Sequence, residues 1–96
     1  MSILIRFAPD GMTADQYQAA TDQIQEKVGW PPDGLQLHVC FGSDSDLRVS
    51  EIWESREQME AFGEKLMPVL DESGIKFSGE PEVLSIHKLE QFQPVG

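Results

Sequence analysis

Residues 47–70 carry a pattern of apolar and polar positions that changes its period once. In an extended chain Leu47, Val49 and Trp53 point to the same face. Apolar residues at a period of two predict a half-buried β-strand. Glu51 falls on that same apolar face. We therefore expect a strand over residues 47–53 with one carboxylate directed toward the core.

A helix is predicted directly after this strand. Ser55 and Gln58 have the S-x-x-Q spacing of an N-terminal capping box. The apolar residues that follow recur at helical spacing: Met59, Phe62, Leu66 and Val69. Because Pro68 lacks the N–H of a helix interior, we expect a kink or a new first turn there and a helix end near Gly74.

The first third of the chain predicts another strand and helix. Residues 3–7 are rich in β-forming side chains and are followed by Pro9-Asp10-Gly11, which we expect to stop the strand. Thr13 and Gln16 form a capping box, and the helix stripe consists of Tyr17, Ala20, Ile24 and Val28. Gly29 marks the end of this helix.

A second strand is predicted over residues 35–41, with residues 42–46 as the hairpin into residues 47–53. If the hairpin pairs Phe41 with Leu47, the four expected facing pairs are Phe41–Leu47, Val39–Val49, Leu37–Glu51 and Leu35–Trp53. His38 then lies opposite Ser50 on the other face of the sheet. A slip of one residue would exchange the two faces.

The element order predicts a ferredoxin-like α+β fold. Residues 75–82 are expected to be loop, residues 83–89 the fourth strand, and residues 90–96 a tail that either frames a subunit interface or is disordered. The order β-α-β-β-α-β gives one domain over residues 1–96 with a four-stranded antiparallel sheet. We place the first and third strands at its centre, parallel to each other, with both helices on one face.

The residues expected on the opposite face of the sheet indicate that two copies of the chain associate. Leu4, Ile52 and Cys40 are expected there beside polar residues, and two sheet edges are left bare. We therefore expect a homodimer joined sheet to sheet.

The charge composition of the chain limits the kinds of molecule that we expect it to bind. The 96 residues include seventeen acidic and seven basic side chains, for a formal charge of −10. No cluster of Lys and Arg supplies the positive surface that nucleic acid or an anionic membrane requires. With one cysteine, Cys40, and no leader or membrane-length apolar run, the chain is expected to be cytoplasmic.

The segment from Glu51 to Met59, with an aromatic residue in the next turn, resembles the strand-to-helix segment of antibiotic biosynthesis monooxygenase domains. These domains belong to the dimeric α+β barrel superfamily, so the resemblance implies a ligand pocket between sheet and helices. That superfamily includes cofactor-independent oxygenases of polycyclic phenols, haem-degrading enzymes, cyclases and isomerases. Phe62 and Gly63 stand where the haem-degrading members carry their iron-binding histidine, so we do not expect haem. The sequence has no P-loop, G-x-G-x-x-G or C-x-x-C motif either, and we expect no cofactor.

Glu51 is the first candidate for catalysis. A carboxylate among apolar neighbours loses hydration, which favours its protonated form and suits a general acid or base. The alternative is structural: Glu51 pairs with a lysine or a helix terminus, or accepts hydrogen bonds at the pocket rim.

His38 and His87 are the other candidate catalytic groups, since both titrate near neutrality. Each is expected on an edge strand, about 14 Å from the other, so they cannot share a metal within one subunit. They could meet across a dimer interface, but zinc and iron sites normally need a third protein ligand and the sequence offers none, so no metal site is predicted. Trp53, Tyr17 and Phe62 are expected either to line the substrate pocket or to fill the core. Cys40 is expected to be an inert small hydrophobe.

Two functions remain open from the sequence. The first is a cofactor-free enzyme of monooxygenase, cyclase or isomerase type, acting on an apolar aromatic or polyketide-like molecule with Glu51 as acid or base. The second is a non-catalytic ligand-binding or assembly module of the same fold. A roomy cavity with Glu51 facing Tyr17 or a histidine would favour the enzyme, and a filled interior would favour the module.

Overall fold

The computed structural model describes residues 2–92. Within that range the strands are β1 (Ile3–Met12), β2 (Leu35–Ser43), β3 (Asp46–Trp53) and β4 (Glu82–Ser85), and the helices are α1 (Ala14–Lys27) and α2 (Arg56–Glu72). The strands form one sheet in the order β2-β3-β1-β4. The predicted ferredoxin-like element order is confirmed, and β1 and β3 lie at the centre as expected.

The expected parallel pairing of β1 and β3 is wrong. Ile3 faces Trp53 and Phe7 faces Val49, so the two central strands are antiparallel, as are all the neighbouring pairs. The reason is topological. A β-α-β crossover gives β1 and β2 the same direction, and the hairpin then reverses β3 relative to β2.

The turn between β2 and β3 is shorter than the sequence suggested. Asp44 and Ser45 are its two central residues, and Ser43 faces Asp46. A two-residue turn is a common hairpin connection. It pairs Gly42, rather than Phe41, with Leu47, so the register of most of β2 differs by one residue from the predicted one.

A bulge in β2 restores the predicted register at one end of the strand. Leu35 faces Trp53 as expected, but Leu37 faces Ile52, so an extra residue lies between them in β2. Such a bulge changes which face the following side chains occupy. Leu35 packs against the core, whereas Leu37 shares the outer face with Ile52.

The slip moves two candidate residues to the inner face of the sheet. His38 faces Glu51, not Ser50, and Cys40 faces Val49. The expected outer positions of His38 and Cys40 are therefore wrong, because a one-residue change of register exchanges faces.

The cap of α1 follows the sequence closely. Thr13 Oγ1 accepts a hydrogen bond from the Gln16 backbone N–H, and the Gln16 side chain accepts one from the Thr13 N–H. The backbone N–H of Gly29 donates to the carbonyl of Ile24 and ends the helix as predicted.

The cap of α2 is confirmed in part. Ser55 Oγ accepts from the Gln58 backbone N–H, but the Gln58 side chain accepts from the Ser55 hydroxyl rather than from its backbone. The helix continues without a new first turn through Pro68 and ends beside Gly74.

Two strands differ in length from their predictions. β1 does not stop at Pro9 but continues, past an irregularity between Phe7 and Met12, to Met12. Pro9 pairs with Phe77 as an isolated bridge, which ties the expected loop to β1. β4 is shorter than predicted and ends at Ser85. The part of the predicted tail from residue 93 onward lies outside the described residues.

The core lies between the inner face of the sheet and the two helices. Ile5, Val49 and Trp53 from the sheet pack with Ala20 and Ile24 of α1, and with Phe62 and Val69 of α2. Both helices thus cover one face, as predicted. Within residues 2–92, no helix is long and apolar enough to span a membrane.

The outer face of the sheet carries one apolar row that crosses all four strands. Leu37 faces Ile52, Ile52 also faces Leu4, and Leu4 faces Leu84. We call these four residues the outer row. Ile52 is 7% exposed and Leu84 41% exposed, so the row presents apolar surface mainly at its β4 end.

Candidate functional site

Three polar side chains from three elements form a hydrogen-bonded chain on the inner face. His38 of β2 and Glu51 of β3 face each other across the sheet, with His38 Nδ1 2.6 Å from Glu51 Oε2. Tyr17 of α1 reaches the other ring nitrogen, with its hydroxyl 2.7 Å from His38 Nε2. We call Tyr17, His38 and Glu51 the relay.

The hydrogen positions in the relay follow from what each group can donate. An ionised carboxylate only accepts, so His38 Nδ1 carries the hydrogen that is shared with Glu51. In the neutral imidazole Nε2 is then an acceptor, and the Tyr17 hydroxyl donates to it. The order of atoms is that of a hydroxyl, a histidine and a carboxylate, in which the histidine is a base oriented by the acid.

Trp53 holds the buried end of the relay. Its Nε1–H donates to Glu51 Oε1 over 3.0 Å. Glu51 is 5% exposed and Trp53 1% exposed, and a buried carboxylate is stable only when hydrogen-bond donors replace its lost water. With His38 on one oxygen and Trp53 on the other, Glu51 is held in a fixed orientation.

Burial keeps the Tyr17 hydroxyl of the relay and the neighbouring Cys40 thiol neutral. Burial raises the pKa of Tyr17, and Cys40 and Glu51 nearby raise it further. Burial also raises the pKa of the Cys40 thiol. At neutral pH Tyr17 therefore retains its proton, and Cys40 lacks the thiolate that nucleophilic chemistry requires.

A cavity of about 160 Å³ lies between the sheet and the helices, and all three relay residues line it. Apart from these residues and Thr21, its wall is apolar and includes Phe7, Met12, Ile24, Phe62, Leu66 and Phe77. One polar cluster in an apolar wall is the arrangement that orients a small apolar ligand by a single polar group.

The structure brings together five of the six predicted site residues, of which four line the cavity. Tyr17, His38, Glu51 and Phe62 line the cavity. Trp53 is packed behind Glu51, with its ring centroid 5.6 Å from that of Phe62, and it does not line the cavity. His87 follows the end of β4, is exposed, and also lies apart from the cavity lining.

Trp30 is a cavity residue that the sequence did not suggest. It lies in the connection between α1 and β2, lines the cavity and is 39% exposed. Its ring packs edge-on against His38, with centroids 5.2 Å apart, and lies 6.2 Å from Phe62. A large aromatic residue in a connection rich in proline and glycine was the one available signal.

The described part of the chain holds no group of three or more His, Cys, Asp or Glu side chains placed to bind a metal ion.

Comparisons with known proteins identify the fold. No family model and no curated protein sequence matches the chain, but solved structures do. A proposed antibiotic biosynthesis monooxygenase from Deinococcus radiodurans matches with a TM-score of 0.53 and 14% identity over 100% of both chains.

Two Streptomyces structures match to a similar degree. The monooxygenase of the ActVA-Orf6 gene of Streptomyces coelicolor, solved with nanaomycin D, has a TM-score of 0.53 and 19% identity over 98% of this chain and 91% of its own. SnoaB, a cofactor-independent oxygenase from Streptomyces nogalater, has a TM-score of 0.54 and 10% identity over 92% and 93%.

The chain therefore has the same fold as the solved structures of antibiotic biosynthesis monooxygenase-like proteins. This confirms, for the fold, the resemblance seen from Glu51 to Met59. At such low identity the likeness establishes the architecture and leaves the chemistry to the site itself.

Proposed function

We propose that this protein is a cofactor-free enzyme of the monooxygenase type that removes a proton from a small apolar phenol or enol. The observation that carries the proposal is the relay: a hydroxyl, an imidazole and a buried carboxylate joined at 2.7 Å and 2.6 Å in the wall of an apolar cavity. Groups joined in this order transfer protons without rearranging.

The substrate hydroxyl would donate its proton to Tyr17 Oη while Tyr17 passes its own proton to His38 Nε2. The products of this step are a substrate anion and an imidazolium ion. Glu51 lies against His38 Nδ1 and stabilises that imidazolium, so the charge separation is balanced inside the cavity.

This role for Glu51 differs from direct attack on the substrate proton. Both its oxygens already accept hydrogen bonds, from His38 and from Trp53. Its carboxylate is better placed to orient His38 and balance its charge than to bind the substrate hydroxyl. Tyr17 is then the group that contacts the reacting hydroxyl.

In a monooxygenase reaction, the substrate anion formed by proton removal then reacts with dioxygen. A ring carbon para to the phenolate oxygen bonds to one oxygen atom, and His38 returns its proton to the peroxide through Tyr17. The O–O bond then breaks as the para carbon loses its hydrogen as a proton, and this proton and the departing hydroxide form water. One phenol and one dioxygen thus give one quinone and one water. The shared fold with a cofactor-independent oxygenase supports this choice, whereas cyclases and isomerases would use only the first step.

The test is dioxygen uptake and quinone absorbance with a panel of electron-rich phenols, measured for the wild type and for Glu51→Gln. We expect kcat to fall on the order of 10²–10⁴-fold in the variant. Glu60→Gln, an exposed site on α2, is the matched control and should leave kcat unchanged. Equal turnover by Glu51→Gln, or no turnover of any phenol by the wild type, would refute the proposal.

A second role, assembly, is favoured by the outer row. We propose that two copies of the chain pair through this face of their sheets and form a homodimer. An apolar row across a four-stranded sheet is surface that association removes from water. A non-catalytic binding or assembly module would use this same face. Turnover that depends on the relay would identify the enzyme, because the module has no turnover.

A further inference from the structure

The size of the cavity limits what the proposed enzyme can bind. Pockets for drug-sized ligands are roughly 300–1,000 Å³, and the cavity beside the relay has about 160 Å³. An apolar cavity of about 150 Å³ in another protein holds one benzene molecule. This cavity therefore has room for one aromatic ring with small substituents, but not for fused rings.

The polar groups of the wall fix how that ring would lie. Tyr17, His38 and Glu51 are joined by hydrogen bonds and form one polar cluster in an otherwise largely apolar lining. The remaining polar residue of the wall, Thr21, already donates its hydroxyl hydrogen to the Tyr17 carbonyl. A ligand hydroxyl can form its hydrogen bond at this cluster, whereas a second polar group that lies against the apolar part of the wall would be buried without a partner. The ligand chemistry that fits is a ring with one hydroxyl and an otherwise apolar edge.

Trp30 is the wall residue that limits the cavity beside the relay. Its ring packs edge-on against His38, and its centroid lies 6.2 Å from that of Phe62. Phe62 and Val49 belong to the buried core, whereas Trp30 lies in a connection and is partly exposed. Truncating Trp30 would thus extend the cavity toward solvent without opening the core.

We propose that the substrate is a single-ring phenol and that Trp30 is the specificity-determining residue that excludes two-ring phenols. This inference rests on the proposed function for the orientation of the hydroxyl. It predicts a size limit that binding alone can measure.

The experiment compares binding of 3-methylphenol and 1-naphthol by calorimetric titration to the wild type and to Trp30→Ala. We expect the wild type to bind 3-methylphenol at least tenfold more tightly than 1-naphthol. Trp30→Ala should shift that ratio by at least tenfold toward 1-naphthol. Met67→Ala, exposed on α2 and outside the cavity lining, should keep the wild-type ratio.

Trp30→Leu is the second variant, since a smaller apolar change keeps part of the packing, and it should give an intermediate ratio. Equal or tighter binding of 1-naphthol by the wild type would overturn the proposal, as would an unchanged ratio in both Trp30 variants. Failure of both phenols to bind at millimolar concentration would also overturn it.

Binding and turnover separate this inference from the proposed function. If 3-methylphenol binds with the expected selectivity but Glu51→Gln does not alter turnover of the phenol panel, the size limit stands and the relay mechanism fails. If turnover depends on Glu51 but two-ring phenols bind best, the mechanism stands and the size limit fails.

Discussion

His38 Nδ1 lies 2.6 Å from Glu51 Oε2 because these residues face each other directly across β2 and β3. The pairing depends on the two-residue turn at Asp44 and Ser45. A turn one residue longer or shorter would turn His38 to the opposite face of the sheet and leave Glu51 without its imidazole partner.

Replacing Glu51 with Gln should invert the tautomer of His38. Trp53 Nε1–H requires an acceptor and would hold the amide oxygen, so the amide NH₂ would face His38 Nδ1. Nδ1 then accepts, and Nε2 carries the hydrogen and donates to Tyr17. Imidazole ¹⁵N chemical shifts measure this directly. Glu60→Gln should leave the shifts of His38 unchanged, and a hydrogen retained on Nδ1 in Glu51→Gln would contradict the prediction.

Replacing Tyr17 with Phe should give a stability difference that depends on pH. At neutral pH the variant should lose about 1 kcal/mol with the hydrogen bond to His38. Burial raises the pKa of Tyr17, so above the ordinary tyrosine value of about 10 the folded state holds a proton that the unfolded state has lost. The stabilisation that the protonated Tyr17 gives the folded state is therefore fully present below pH 10 and is lost as the pH rises through the raised pKa.

The advantage of the wild type over Tyr17→Phe should therefore shrink as the pH rises above about 10. Urea unfolding of both proteins from pH 8 upward measures it, and other titrating groups largely cancel in the difference. A difference that stays constant over this range would show that Tyr17 is not desolvated.

Replacing Trp53 with Phe should lower the free energy of unfolding by about 2–4 kcal/mol, because it removes a hydrogen bond to a charged group and leaves a smaller ring in the core. In the Glu51→Gln background the same change should cost less, since the acceptor is no longer charged. A double-mutant cycle by urea unfolding gives the coupling. Equal losses in both backgrounds would argue against Trp53 as the partner of Glu51.

Replacing Gly42 with Ala should destabilise the hairpin. Gly42 has φ +114°, and an added Cβ would lie 2.6 Å from the backbone oxygen of Asp46, so we expect a cost of roughly 1–3 kcal/mol. Gly63→Ala is the control, because its Cβ would meet nothing within 4 Å and a helical Ala is favoured by about 0.5–1 kcal/mol. Thermal unfolding should move in opposite directions for the two variants.

Replacing Leu84 with Asp should abolish the proposed dimer, because a carboxylate would be placed in the outer row without a partner. Met67→Asp is the matched control: Met67 is 47% exposed, but on α2. Sedimentation equilibrium at micromolar concentration should give a dimer for the wild type and Met67→Asp, and a monomer for Leu84→Asp. A monomeric wild type would refute the dimer.

The element order, the sheet order and the inner face of β3 could be predicted from the sequence. Leu47, Val49 and Trp53 share one face of β3 at a period of two residues, and the caps at Thr13 and Ser55 depend on side chains within three residues. Such patterns are local, so the chain shows them directly. They also placed Glu51 correctly on the core face.

The partners of Glu51 could not be predicted in the same way. The leucines and valine at positions 35, 37 and 39 have one continuous alternation, but the bulge divides it between two faces. A bulge and a turn length depend on pairing with the other strand, which no local pattern in β2 specifies. For the same reason His38 and Cys40 were assigned to the wrong face.

The bulge in β2 has an evolutionary consequence. In a strand with strict alternation Leu35 and His38 would lie on opposite faces, yet here both are on the inner side. One added residue is thus enough to bring an ionisable ring into an apolar interior while an anchoring leucine keeps its place. A new reactive centre can arise in such a sheet through a change in strand length, with every existing side chain retained.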